Sequence, residues 1–78
     1  MYEVIGVRSG KVSKEGKNKG KGYNVFYIAY EAPGVNGRIC RDVFAMDDIV
    51  ETFRPIVPGD HLEIYMGLDG RIQTIKLV

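Results

Sequence analysis

Tyr23-Asn24-Val25-Phe26-Tyr27-Ile28-Ala29-Tyr30-Glu31 is the stretch on which the fold is decided. It is rich in aromatic and β-branched residues and free of proline, the composition of a long strand. Alternation puts Tyr23, Val25, Tyr27 and Ala29 on one face and Asn24, Phe26, Ile28 and Tyr30 on the other. Phe26 and Ile28 are the expected core pair, which leaves Tyr23 and Tyr27 facing solvent.

Strand signals continue on both sides. Val4-Ile5-Gly6-Val7 opens an extended segment that reaches Val12, with Gly6 and Gly10 as expected sites of bending or bulging. Ser13 to Gly22 holds no apolar residue, cannot pack, and reads as a solvated, mobile loop. Ala32 to Gly37 is a turn cluster, and Arg38 to Ala45 reads as a third strand. Asp47 or Asp48 as cap, Glu51 in the first turn and Pro55 as stop frame a single short helix from Asp47 to Phe53. Its Ile49, Val50 and Phe53 are expected to plug the core. Val57-Pro58-Gly59-Asp60 fits a type II turn. His61 to Met66 alternates, with Leu62, Ile64 and Met66 inward and His61, Glu63 and Tyr65 outward. Gly67-Leu68-Asp69-Gly70 makes a hairpin into a last strand, Arg71 to Val78.

This order predicts an all-β chain: a five-stranded OB-like Greek-key barrel with one short helix between strands three and four. An SH3-like barrel also has five strands but usually carries only one 3₁₀ turn late in the chain. The expectation is a single domain over residues 1–78, near the lower size limit for independent folding. Cys40 is the only cysteine, so no internal disulfide supports the core, which points to a reducing cytoplasm. Met1-Tyr2-Glu3 does not open a secretory leader, and no apolar run approaches the roughly 20 residues that span a bilayer. A cytoplasmic protein with no membrane partner is expected, and a small core without disulfides favours a homodimer.

The formal net charge of +1 conceals a strong asymmetry. From Arg8 to Lys21 the chain carries Arg8, Lys11, Lys14, Lys17, Lys19 and Lys21 against Glu15 alone, a net of +5. The other 64 residues carry five basic and nine acidic side chains. Such a segment steers an anionic ligand whatever the overall charge.

Catalysis finds no support. His61 and Cys40 are the only residues of their types, and neither stands in a nucleophile–base–orienter pattern. No cofactor or metal is implied, since Asp47-Asp48 alone is more simply a helix cap than a metal site. The glycines beside lysines miss both phosphate-binding fingerprints. Five residues separate Gly10 from Gly16-Lys17, and Asn18 stands where Ser or Thr is required. Gly20-Lys21-Gly22 leads into a strand.

The basic segment joined to a tyrosine-bearing strand is the informative pairing. Bases stack on rings while ammonium groups neutralise phosphates, the chemistry of single-strand binding. The candidate nucleic-acid-binding residues are Arg8, Lys11, Lys14, Lys17, Lys19, Lys21, Tyr23 and Tyr27, with Arg41 and Tyr65 extending the surface. Arg38 and Arg41 lie on opposite faces by alternation, so only one joins. The alternatives are an RNA-binding OB module using the same residues and a protein-interaction barrel in which the lysines only keep the chain in solution.

The element order, the Gly20-Lys21-Gly22-Tyr23 entry into the second strand and the Leu68-Asp69-Gly70-Arg71 hairpin resemble the small single-stranded DNA-binding proteins of filamentous phages and bacterial mobile elements. The resemblance implies a homodimeric OB barrel that binds single-stranded DNA cooperatively, DNA in preference to RNA, in replication or maintenance of such an element. The helix expected at Asp47 to Phe53 and the extra lysines of the first loop depart from that pattern.

Overall fold

The computed structural model describes residues 1–78 and contains one β-sheet. Its strands are β1 (Tyr2–Lys11), β2 (Gly22–Tyr30), β3 (Ile39–Met46), β4 (Val50–Glu51), β5 (His61–Met66) and β6 (Ile72–Leu77). They lie in the order β3-β2-β1-β5-β6-β4, all antiparallel except the β4–β6 pair. The chain is all-β, as expected, with six strands in an open sheet where five in a barrel were expected. No helix is long and apolar enough to cross a membrane.

The sheet cannot be flat. β3 and β4 stand at its two ends, which in a flat sheet are five strand spacings apart, about 24 Å. Only Asp47–Ile49 separates them in the chain, and Met46 to Val50 spans at most about 15 Å. The sheet therefore curls, and it curls around one apolar cluster: Val4, Phe26, Ile28, Val43, Ala45, Ile56, Leu62 and Ile75. No polar side chain is buried with them.

The expected helix is absent. Asp47–Ile49 makes one 3₁₀ turn with no side-chain cap, and Val50–Glu51 then runs parallel to Ile75–Lys76. A helix this short is marginal by itself, and Ile49, Val50 and Thr52 are β-branched. The open side of β6 offers them a ladder partner, and tertiary pairing prevails. Ile49 and Val50 still pack on the core, but Phe53 is 81% exposed and Ile56 takes the core position expected of it.

Phe26 and Ile28 are buried as expected, but Val25 and Ala29, expected on the solvated face, are buried too. Val25 sits between Arg8 and Phe44, and Ala29 between Glu3 and Cys40, whose side chains share its face. β1 bulges between Val4 and Gly6 and turns Ile5 outward, whereas Gly10 pairs regularly with Tyr23. In β5, Leu62 is buried and Ile64 half-buried, but a register shift between Tyr65 and Met66 leaves Met66 exposed rather than inward.

The loop from Thr52 to Asp60 is pinned by a polar lock. Arg54 donates from both terminal nitrogens to the Asp60 carboxylate at 2.8 and 2.7 Å, and the Val57 N–H donates to it at 2.8 Å. Backbone bonds of 2.8 Å from Val4 N–H to the Asp60 carbonyl and from Gly59 N–H to the Val4 carbonyl dock the loop on the β1 bulge. The hydrogen bonds from Arg54 and then Val57 lower the Asp60 carboxyl to about 2. A carboxylate depressed in the folded state stabilises it above the unfolded value, 3.8, and loses that contribution as pH falls from there toward 2. Melting temperature should therefore fall across this acid window, and Asp60→Asn should flatten the fall while lowering stability near neutrality. An unchanged acid limb in that variant would show that the lock has no part in it.

Candidate nucleic-acid interface

The expected mobile loop is a solvated but tied extension of the β1–β2 hairpin. The ladder runs from Glu3–Ala29 to Lys11–Gly22 and continues with Val12 N–H to the Lys21 carbonyl and Gly20 N–H to the Val12 carbonyl, 2.9 and 2.8 Å. Lys19 N–H to Gly16 and Lys21 N–H to Asn18 close the tip at 3.2 and 3.0 Å. The arm lengthens the molecule to 43 × 28 × 21 Å, with a radius of gyration of 13.4 Å. A compact chain of this length has about 11.5 Å.

Five ion pairs form, and they divide the cations by region. Arg38, Arg54, Arg71 and Lys76 pair with Glu3, Asp60, Asp69 and Glu51, and in the arm only Lys19 is paired, with Glu15. Arg8, Lys11, Lys14, Lys17 and Lys21 join none of these pairs and are all exposed. The charge concentration read from the sequence is thus a field of uncompensated cations. Asp47 and Asp48 temper it at one point, bordering a recess with Lys21 and Gly22. Asp47 is held there by Asn24 Nδ2 at 2.7 Å, and Asn24 Oδ1 accepts from Ser9 Oγ at 2.8 Å. Asp47 is therefore a brace between the 3₁₀ turn and the hairpin, not the helix cap expected.

One of these cations, Arg8, stands on an aromatic face. Across β1, β2 and β3 the outer rows read Gly10–Tyr23–Met46, Arg8–Val25–Phe44 and Gly6–Tyr27–Asp42. Each of these two tyrosines stands opposite a glycine, and for Tyr23 the pairing has a steric reason. A Cβ on Gly10 would lie 2.8 Å from Tyr23 Oη and 3.0 Å from Cζ, and one on Gly6 would lie 3.4 Å from Tyr27 Cδ2. The missing side chain of Gly10 lets the Tyr23 ring lie across β1 beside Arg8, whereas a Cβ on Gly6 would make only ordinary contact with Tyr27. Tyr23 also stacks on Phe44, centroids 5.4 Å apart and planes 24° apart. Phe44 is 57% exposed and Tyr27 37%. Sequence reasoning missed Phe44, although placing Val43 and Ala45 inward would have put it outward.

The remaining candidates separate. Arg41 pairs with Ile28, so it leaves β3 on the side away from the tyrosine row, although it borders a recess beside Tyr27. Arg38 is spent on Glu3 at 2.8 Å and the Ala29 carbonyl at 3.2 Å. Tyr65 does not join the face. It lies on β5, which meets β1 only at Tyr2 and Glu3, and its ring sits 5.4 Å below Lys76 Nζ. Its hydroxyl donates to Glu63, which raises its pKa. Cys40 is exposed.

Against known proteins the chain matches no family model, and neither a curated protein nor a solved structure gives a significant match.

Proposed function

We propose that the chain is an OB-type barrel that binds single-stranded nucleic acid without strong sequence preference, DNA ahead of RNA, as a non-enzymatic homodimer in replication or maintenance of a phage or mobile element. The barrel reading is supported by β3, the 3₁₀ turn and β4, which taken as one bent strand leave five strands in Greek-key order. In OB barrels the face of the second and third strands, flanked by the first loop, binds oligonucleotides. The observation that carries the ligand is Arg8, on the outer face between the rows of Tyr23 and Tyr27, at the root of an arm whose Lys11, Lys14, Lys17 and Lys21 also stay outside ion pairs. Rings that accept any base and ammonium groups that accept any phosphate make a sequence-tolerant track.

Titration with oligo-dT at low salt should quench tyrosine fluorescence, and raising the salt should reverse it. Absence of quenching at low salt would sink this reading. One observation favours a second reading, a protein-interaction surface: an apolar cleft beside β3 lined by Tyr2, Tyr30, Val43, Ile64, Met66 and Ile72. Under that reading oligonucleotides leave the fluorescence unchanged.

A further inference from the structure

Resting on the strand-binding reading, we propose that the recess beside Tyr27 is a guanine-selective base site, imposing one preferred base on an otherwise tolerant track. The recess measures about 260 Å³ and is lined by Ile5, Tyr27, Cys40, Arg41 and Asp42. Three local features shape it. The β1 bulge turns Ile5 out, 48% exposed, as an apolar wall. The Tyr27 ring, 37% exposed, lines it beside Gly6. Asp42 stands directly across from Tyr27 on β3.

The charges of the recess point to the ligand. Arg41 and Asp42 are consecutive and exposed, yet they pair neither with each other nor with any other residue. Neighbours on a strand leave it on opposite sides, which keeps the two groups apart. An ionised carboxylate offers two acceptor oxygens and no donor. Among the common bases only guanine presents two adjacent donors on its pairing edge, N1–H and the N2 amino group. Cytosine and adenine set one amino group beside an acceptor, and thymine sets one N–H between two. Arg41 leaves β3 on the other side, so the Asp42 carboxylate alone reads the base. A single strand leaves that edge free.

The test compares oligonucleotides of one length: thymine throughout, or with isolated guanines, adenines or hypoxanthines set between thymines. The expected result is a guanine preference of roughly 5- to 150-fold over thymine, the range of one good bidentate pair. Hypoxanthine, which lacks the amino group, should lose much of it, and adenine should behave as thymine. Asp42→Asn should abolish the preference without weakening binding of the all-thymine strand, which also shows that the variant is folded. Equal affinity for guanine and thymine strands overturns the guanine site and leaves strand binding standing. A preference that survives in Asp42→Asn overturns it as well. Failure to bind any strand removes both readings.

Discussion

Changing Lys11, Lys14, Lys17 and Lys21 together to Gln is expected to weaken oligo-dT binding by about two to three orders of magnitude at roughly 0.1 M salt. Each phosphate neutralised on a single strand releases about 0.7 of a counterion, so the slope of log affinity against log salt should become shallower by about 3. The expectation is specific to these four residues because none is held in an ion pair, whereas Lys19 is engaged with Glu15. Lys19→Gln alone should cost less than any one of the four. Anisotropy titrations across several salt concentrations measure both quantities. An unchanged slope in the fourfold variant would remove the arm from the interface.

The second large effect separates two phenylalanines on neighbouring strands. Phe26 is 2% exposed, belongs to the core cluster and faces Val43, whereas Phe44 is 57% exposed and faces Val25 on the outer side. Phe26→Ala removes a buried ring and should cost about 3–5 kcal/mol. A domain this small has a total stability near the lower end of about 5–15 kcal/mol, so most of the cooperative transition should be lost. Phe44→Ala should cost only about 0.5–1.5 kcal/mol of stability, the worth of its stack on Tyr23. It should instead weaken strand binding by about 1–3 kcal/mol, the worth of one stacked base. Urea denaturation beside oligo-dT titration resolves the two. If Phe44→Ala destabilised as much as Phe26→Ala, the outer stack would be a second core and not a binding surface.

Much of this was legible in the chain because it depends on period and on local chemistry. Alternation alone placed Phe26 and Ile28 inside and Tyr27 outside, though Tyr23, expected in solvent, is half-buried, and the run from Arg8 to Lys21 announced its charge. The Asp69-Gly70 hairpin also followed from its residues, closed by Gly67 N–H to the Arg71 carbonyl at 2.8 Å. The failures share one cause. Asp47 to Phe53 reads as helix because capping and stop signals are local, while the bare side of β6 that claims Val50 and Glu51 lies some 25 residues away. The burial of Val25 and Ala29 was hidden for the same reason, since their cover comes from β1 and β3.

By itself the sequence determined that the chain is all-β, where five of its six strands run, and that its cations are gathered between Arg8 and Lys21. Each of these is a property of neighbours in the chain. Only the tertiary structure decided which of those cations stay free, that Phe44 joins Tyr23, that Tyr65 stands apart, and that Arg41 and Asp42 share a recess with Tyr27. Those outcomes depend on register between strands, on the curl forced by the short link from β3 to β4, and on Gly10 opposite the Tyr23 ring. Pairing energy is set by partners distant in sequence, and no local pattern encodes them.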